Sequence, residues 1–363
     1  MEYTFADVLE IKNGKNQKGI ENPEGQYPIY GSGGVMGYAD DYICEADTVI
    51  IGRKGSINNP IYVPEPFWNV DTAFGLSAKR EKLLPRYLFY FCKKYDFEKL
   101  NKTVTIPSLT KTDLLKIRIK LPDIMAQQEI VDKLTIIEVI IGWRKRELSL
   151  LDNLIKARFV ELFGDPVSNP LSWEKRTLKE VCVKLNDGTH FSPESYETGQ
   201  YKYVTAKNIK LSGFDFSNIT YVPEEVHRPI YERCNPEMGD VLYIKDGATT
   251  GIAMVNTLEE EFTLLSSVAL LKQNRAIMNG YFLTALLNNE DMYRDIRNNM
   301  GGAAITRLTI AKLNAIKVIM PPIELQNQFA EFYKQTNKSK VAVQKALDET
   351  QLLFDSLMQQ YFG

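Results

Sequence analysis

The chain has 363 residues, which is too long for one average domain and indicates two or three. Apolar residues make up 44% and charged residues 25%, proportions that are typical of folded proteins and exclude general disorder. Its 44 basic and 46 acidic side chains give a net charge of −2, which argues against a histone-like nucleic-acid binder and leaves room for a local DNA-binding patch.

Neither secretion nor membrane insertion is indicated, and we expect a cytoplasmic protein. The acidic start has no apolar stretch, and the most apolar run, residues 136–141, carries Glu138. Two histidines, His190 and His227, are too few for a histidine-based metal site or a Ser–His triad to be readily built. The cysteines lack zinc-ligand spacing and are too sparse for a disulfide scaffold, so we expect reduced thiols at Cys44, Cys92, Cys182 and Cys234.

The chain contains an internal repeat. Residues 106–124 match residues 305–323, 199 positions later, with identity at seven of 19 positions, and this offset continues to the terminal Phe362-Gly363. Near the start of each copy the offset is only 173, so the second copy carries 26 additional residues in its first part. Each copy is therefore a variable module followed by a constant module.

The first variable module, residues 1–122, is mixed in its predicted structure. It has a glycine-rich turn at 31–34, a β-rich run at 47–51 and a helical patch at 84–92. The constant part begins with alternating basic and apolar residues at 116–121, a pattern that predicts a half-buried strand. Pro122 ends that strand, and Asp123 is a candidate helix N-cap.

A long helix is predicted over residues 123–164. It has no proline before Gly164, and its apolar residues follow the 4-3 spacing of a coiled coil, with Arg144 and Arg158 interrupting the stripe. Residues 164–170 then break the helix and begin the second variable module, 165–322, with β-rich runs at 240–244 and 264–271 and a helical patch at 281–288.

The second long helix is predicted over 323–363. The equal length and shared register of the two long helices favour an antiparallel coiled-coil pair. Two unrelated core helices, packed in separate domains, are the alternative. The sequence thus predicts an α+β protein with two mixed α/β domains related by the repeat and separated by the two helices.

None of the catalytic motifs that we considered is complete in this sequence. Residues 31–37 resemble a phosphate loop, but the glycine spacing is wrong and no amphipathic helix follows. No Gly-Lys-Ser/Thr sequence occurs, and Glu10-x-Lys12 is only half of a metal-nuclease signature. Residues 58–61 and 320–323 lack the aromatic side chain with which amino-methyltransferases stack on a flipped base. We therefore predict no catalytic residue and no metal or cofactor site.

The variable modules instead carry polar and basic turns beside aromatic residues, which can approach phosphates and read base edges. Ordinary solvated loop tips are the alternative interpretation. In the first copy the DNA-binding candidates are Tyr30, Ser32, Gly33, Arg53, Lys54, Ser56, Trp68, Asn69, Lys102 and Thr103. In the second copy they are Thr189, His190, Thr205, Lys207, Asn208, Lys245, Asp246, Thr249, Thr250, Gly301 and Gly302.

In the order and duplication of its motifs, the whole chain resembles the DNA-specificity subunits of type I restriction-modification systems. Each motif is weakly specific by itself, whereas their order is highly specific. The motifs are residues 27–34 with 49–56, residues 187–193 with 203–209, the twice-used Pro-x-x-x-x-Gln at Pro122/Gln127 and Pro321/Gln326, and the connector 163–173.

The resemblance implies two target-recognition domains, residues 1–122 and 165–322, held apart by antiparallel spacer helices 123–164 and 323–363. It implies double-stranded DNA as a partner, together with two methyltransferase subunits and, where the system has them, two restriction subunits. It implies no catalysis by the chain itself. Adenine-N6 methylation and ATP-dependent cleavage, with S-adenosylmethionine, ATP and Mg²⁺, would belong to the partner subunits.

Each recognition domain would then read one half of a bipartite, asymmetric DNA site, while the helices set the spacer and dock the methyltransferases. Because no segment is strongly basic, we expect the isolated chain to bind DNA weakly. A self-sufficient DNA methyltransferase or nuclease is the competing class, and a coiled-coil scaffold without a DNA role is a third.

Overall fold

The protein forms two compact units. The structure, a computed structural model, describes residues 1–101, 107–298 and 307–363. Unit 1 comprises Met1–Arg146 and Gln344–Gly363, and unit 2 comprises Glu147–Val343. Each unit thus combines one variable module with a stretch of each long helix.

The variable module of unit 1 is built on short strands. Val and Ile fill its central strand, which is buried along its whole length and which the sequence predicted at 47–51. Its strands are β1 (Glu2–Thr4), β2 (Leu9–Asn13), β3 (Tyr27–Gly31), β4 (Gly34–Ala39), β5 (Thr48–Gly52), β6 (Ile61–Val63), β7 (Trp68–Asn69), β8 (Ala73–Ala78) and β9 (Arg118–Lys120). Its helices are α1 (Phe5–Val8), α2 (Pro85–Lys94), α3 (Lys111–Leu114) and a 3-10 turn at Phe97–Leu100.

Unit 2 repeats this plan with insertions. Its strands are β10 (Lys175–Thr177), β11 (Cys182–Asp187), β12 (Tyr201–Val204), β13 (Ile209–Lys210), β14 (Gly213–Phe214), β15 (Thr220–Val222), β16 (Val241–Ile244), β17 (Ala253–Val255), β18 (Phe262–Leu264), β19 (Val268–Gln273) and β20 (Lys317–Ile319). Its helices are α5 (Leu178–Val181), α6 (Glu224–Arg233), α7 (Gly280–Leu287), α8 (Glu290–Asn298), α9 (Ile310–Ala315) and a 3-10 turn at Ala206–Asn208.

The two long helices are α4 (Ile124–Phe163) and α10 (Ile323–Phe362), each of 40 residues. Asp123 caps α4 as expected, because its carboxylate accepts a hydrogen bond from the backbone N–H of Ala126 at 2.8 Å. No helix within the described ranges is long and apolar enough to cross a membrane.

The sheets confirm the internal repeat. A four-stranded antiparallel sheet has the order β2-β8-β5-β6 in unit 1 and β11-β19-β16-β17 in unit 2. The three-stranded sheets β4-β3-β7 and β15-β12-β18 also correspond, each with one antiparallel and one parallel pair. Strands β13 and β14 and helix α6 have no counterpart among the described elements of unit 1. The fold class predicted from the sequence is therefore confirmed.

One predicted β-run is divided in the structure. Residues 264–271 read as a single apolar run, but β18 ends at Leu264 and β19 begins at Val268. The serines Ser266 and Ser267 form the turn between the two strands, where their backbone groups and the Ser267 hydroxyl bond to neighbouring segments.

Within each unit the stretches of α4 and α10 run antiparallel. In unit 1 the Arg144 guanidinium donates to the carbonyl of Ala346 and the hydroxyl of Thr350, so an arginine that interrupts the apolar stripe is used as a contact between the helices. In unit 2 Lys340 pairs with Asp152. Leu134, Ile137 and Ile141 of the predicted stripe are buried, and so are Leu347 and Phe354.

Aromatic side chains join the end of each long helix to a variable module. In unit 2 the buried ring of Phe163 lies 4.7 Å from that of Phe282 in α7. In unit 1 the ring of Phe362 lies 4.9 Å from that of Tyr87 in α2, at the corresponding position of the repeat. The Phe-Gly pair that ends both helices in the sequence therefore marks equivalent packing sites.

The two glutamines of the repeated Pro-x-x-x-x-Gln motif hold the start of each long helix. The buried Gln127 amide donates to the carbonyls of Lys82 and Pro122 at 2.9 and 3.0 Å and accepts from the N–H of Leu84 at 2.9 Å. Gln326 makes the same three bonds in unit 2, to Ile277, Pro321 and Asn279. Each glutamine thus satisfies three backbone groups that would otherwise lose their partners in a buried place.

We expect Gln127→Met to destabilise unit 1 by about 2–4 kcal/mol, because the apolar side chain leaves these three backbone groups unsatisfied. Urea unfolding followed by tryptophan fluorescence would measure the loss. Its control is Gln128→Ala, since Gln128 is exposed and, among the described residues, its side chain bonds only Asp132 of its own helix. Equal stability of the two variants would contradict the role assigned to Gln127.

Candidate nucleic-acid interface

In unit 1 the predicted basic turn follows strand β5. Arg53, Lys54 and Ser56 are exposed, and Gly55 adopts a φ of 78°, which favours glycine. The turn is fixed by its backbone, since the N–H of Arg53 donates to Thr72 at 2.7 Å and its carbonyl accepts from Leu109 at 2.9 Å. A backbone held by hydrogen bonds therefore presents three exposed polar side chains to solvent.

The glycine-rich hairpin between β3 and β4 lies beside this turn. A Cβ atom built on Gly52 would approach the Cβ of Ser32 to 3.1 Å, so the two turns are in contact. Tyr30 is half-buried, with its ring 5.4 Å from that of Phe67, while Gly33 is exposed. The hairpin also exposes Val35, Met36 and Tyr38, apolar side chains that the sequence analysis did not single out.

Two candidates in unit 1 belong to the interior. Trp68 is 7% exposed and its indole N–H donates to the carbonyl of Lys15 at 3.1 Å. Asn69 is fully buried and is hydrogen-bonded to Ala73 and Cys44. Neither side chain has the exposed surface that a contact to a base or phosphate needs, so we remove both from the proposed contacts. Lys102 and Thr103 lie outside the described residues.

In unit 2 the predicted loops meet at the Ser266–Ser267 turn, which the sequence analysis missed. The N–H of Ser266 donates to Thr189 at 2.8 Å, and the carbonyl of Ser267 accepts from Lys245 at 2.9 Å. The hydroxyl of Ser267 accepts from Ala206 at 3.3 Å. Three separate segments are therefore fixed around one turn, whose counterpart in unit 1 is Thr72, the acceptor for Arg53. The internal repeat could have revealed this turn, since Ser267 and Thr72 immediately precede the corresponding strands β19 and β8.

Burial also separates the candidates of unit 2. Lys207, Thr249 and His190 are exposed, and Thr205 and Asp246 are half-buried. Thr189, Asn208, Lys245 and Thr250 are buried and are therefore removed from the proposed contacts. Gly301 and Gly302 lie outside the described residues.

The buried polar residues have structural tasks instead. Asn208 accepts from the N–H and the hydroxyl of Thr205, both at 3.0 Å, which closes the turn that presents Lys207. The hydroxyl of Thr250 donates to the carbonyl of Gly247 at 2.7 Å, within the loop that exposes Thr249. Buried side chains thus shape the turns, and their exposed neighbours are available to a ligand.

A cluster of three nitrogen-bearing side chains surrounds Asp187 at the end of strand β11. Its buried carboxylate lies 3.1 Å from Lys245 Nζ, 3.1 Å from His190 Nε2 and 3.5 Å from Arg233 Nη1. A cavity of about 420 Å³ opens beside the cluster, between the loop of His190 and Phe191 and the helix α6. Phe191 is 61% exposed there, an aromatic surface that the sequence analysis did not identify. The part of the chain that the structure describes contains no group of three or more His, Cys, Asp or Glu side chains placed to hold a metal ion.

Comparison with known proteins identifies the family of this chain. The family model of the type I restriction modification DNA specificity domain matches residues 1–150 and again residues 170–350. The chain therefore belongs to the family of type I restriction-modification DNA-specificity proteins, as the motifs indicated.

Individual relatives are distant in sequence. The MjaVIII specificity subunit of Methanocaldococcus jannaschii is 23% identical over 326 residues, which cover 83% of this chain and 73% of that protein. The MjaIX specificity subunit of the same organism is 20% identical over 329 residues, with 85% and 73% covered.

Solved structures share the fold over the whole chain. The S subunit of a type I restriction-modification system from M. genitalium gives a TM-score of 0.70 at 18% identity, covering 100% of this chain and 96% of that one. A chain from a structure that describes complex assembly and conformational transition of the type I R-M system gives a TM-score of 0.55 at 17% identity. The match covers 100% of this chain and 97% of that one.

Helix α6, which lines the cavity, is anchored by a buried histidine. The His227 ring stacks on Tyr201 at 3.8 Å and bonds the hydroxyl of Thr263 at 2.8 Å and the carboxylate of Glu261 at 3.2 Å. Burial lowers the pKa of His227 below its usual value, an effect that the Glu261 contact opposes. The neutral ring is therefore the form that the folded unit favours.

We expect the stability of unit 2 to fall as the pH drops below about 6.5, because the unfolded chain then binds a proton at His227 more readily than the folded one. Above that pH the contribution of the neutral His227 ring to the stability of unit 2 is fully present. Chemical unfolding at pH 7.5 and 5.5 would show a smaller loss in His227→Gln than in the wild type. His190→Gln is the control for the other histidine, which is exposed, and an unchanged pH dependence in His227→Gln would contradict the assignment.

Proposed function

We propose that this chain is the DNA-recognition subunit of a type I restriction-modification complex, and that each unit reads one half of a bipartite, asymmetric DNA target. One observation carries the proposal. The two units share sheet order and the backbone bonds that fix their loops, yet the loops present different side chains. A repeated scaffold with different exposed groups is suited to bind two different base sequences in the same manner.

The chain's own role in this proposal is non-catalytic. We assign adenine-N6 methylation and ATP-dependent cleavage to partner subunits, which would bind S-adenosylmethionine, ATP and Mg²⁺. The membership in a DNA-specificity family supports this division of tasks. Such a complex acts on DNA inside the cell, so we place the chain in the cytoplasm. Tight binding of S-adenosylmethionine to the isolated chain in a calorimetric titration would contradict the proposal.

The long helices offer docking surfaces for two methyltransferase subunits. In unit 1 the helix α4 exposes Ile136, Val139 and Trp143 at 60%, 43% and 69%, and their spacing places them on one face. In unit 2 the same helix exposes Leu150 and Leu154. Apolar stripes of this kind on a soluble helix are typical of surfaces that bind another protein. We further propose that the helix pair sets the number of base pairs between the two half-sites, and that two restriction subunits join where the system has them.

Replacing residues 1–122 by the corresponding module of another family member should change only one half of the methylated motif. The complex would be assembled with its methyltransferase, and the motif read by sequencing of methylated DNA. The replacement module should keep an aromatic residue at the position of Tyr87, because Phe362 packs there. The reciprocal replacement of residues 165–322 should change the other half. A change in both halves after either exchange would contradict the independence of the two units.

Trp143→Ala should weaken methyltransferase binding by about thirtyfold, or about 2 kcal/mol, because exposed tryptophans are frequent hot spots of interfaces. Analytical ultracentrifugation of the purified subunits would measure it. Lys145→Ala is the control, since Lys145 is exposed two residues away on another side of the helix. If both variants bound the methyltransferase equally well, this face of α4 would not be the docking surface.

A further inference from the structure

The turns after β5 and β16 occupy the same place in the two copies of the fold. The N–H of Arg53 donates to Thr72 and its carbonyl accepts from Leu109, while Lys245 makes the same two bonds with Ser267 and Leu308. Arg53 and Lys245 are therefore equivalent residues, and each supplies a cation at the end of its strand. Their surroundings, however, differ.

In unit 2 this cation is neutralised inside the protein. Lys245 is 2% exposed, and its ammonium group lies 3.1 Å from the Asp187 carboxylate. The register explains the reach. Asp187 pairs with Ala269 of β19, and the backbone of Lys245 bonds to Ser267, the residue immediately before β19 and two positions from Ala269. Residues two apart share a face of a strand, and the small Ala269 leaves that face open for the lysine side chain.

In unit 1 the same face is closed by a ring. Asn13 stands opposite Phe74 in β8, the equivalents of Asp187 and Ala269. Phe74 is 2% exposed, and the Arg53 guanidinium carbon lies 5.9 Å from the centre of its ring. Arg53 is exposed, and among the described residues the structure gives it no carboxylate partner. Asn13, which is neutral, thus replaces the acid Asp187, and the bulky Phe74 replaces the small Ala269.

The next residue of each turn shows the same contrast. Lys54, which is exposed, forms a backbone bridge with Ser108. Its equivalent is Asp246, which bridges Arg307 and pairs with its guanidinium at 3.5 Å. The turn of unit 1 therefore presents two cations to solvent, whereas that of unit 2 holds its charges in ion pairs.

We propose that Arg53 is a DNA-contacting residue of unit 1, donating to an acceptor oxygen or nitrogen of DNA, and that its equivalent Lys245 makes no DNA contact in unit 2. This inference rests on the proposed function and adds an asymmetry to it. A guanidinium supported on an aromatic ring retains its N–H donors for a guanine edge or a phosphate. If Lys245 left Asp187, the buried carboxylate would lose the one partner that is itself buried, and a buried charge with less compensation is costly. Unit 2 must recognise DNA with other exposed groups.

The test uses the complete complex with its methyltransferase and measures both the methylated motif and the affinity for a duplex carrying that motif. Arg53→Ala should lower the affinity about tenfold or more. Arg53→Lys separates the two acceptors: a phosphate contact is largely kept by lysine, whereas a guanine contact is lost and one position of one half-site becomes degenerate.

Lys245→Met is the matched variant in unit 2 and should keep the motif and bind within about twofold of the wild type. If it fails to fold, Asp187→Asn combined with Lys245→Met removes both charges of the pair and serves instead. An Arg53→Ala complex with unchanged motif and affinity would overturn the inference, and so would an altered motif in a folded Lys245 variant. Failure of the proposed function is distinguishable, since the wild-type complex would then methylate no bipartite motif.

Discussion

The packing of a helix-end phenylalanine on a variable module is the contact on which the rest of the structure depends. Phe163 packs on Phe282 in unit 2, and Phe362 packs on Tyr87 in unit 1. Unit 1 combines Met1–Arg146 with Gln344–Gly363, a stretch of α10 that is distant in sequence. Neither variable module forms its compact unit from its own residues alone, since each buries apolar surface against stretches of both long helices.

The same constraint separates what the two copies share from what they vary. Side chains that hold a long helix are repeated, including the three-bond glutamines Gln127 and Gln326. The turns after β5 and β16 keep their backbone bonds but differ in their side chains, as Arg53 and Lys245 show. Backbone bonds do not depend on the side chain, so loop chemistry can change while loop geometry stays. This independence is the physical basis on which a duplicated fold can bind two different DNA sequences.

Much of the architecture could be predicted from the chain itself. The offset of 199 residues, the 4-3 spacing and the Pro-x-x-x-x-Gln motif led to both long helices, whose ends lie within a residue or two of the expected ones. The prediction of one continuous β-run at 264–271 was wrong. Two serines within an apolar run do not reveal that they form a turn bonded to three other segments. The candidate site was predicted as a set of polar and basic turns. The sequence did not distinguish the exposed residues of that set from its buried members, such as Trp68 and Lys245.

The sequence by itself determined the duplication, the helix pair, the family and the absence of recognisable catalytic motifs, because repeats, periodicity and motif order are properties of residue order. Only the tertiary structure decided which polar residues face solvent and which charges cancel. Lys245 and Arg53 are both basic residues after a β-run, and no local pattern separates them. They differ because strands distant in sequence bring Asp187 and Ala269 to one, and Asn13 and Phe74 to the other. Burial and ion pairing are set by these cross-strand neighbours, so they emerge only when the sheet has formed.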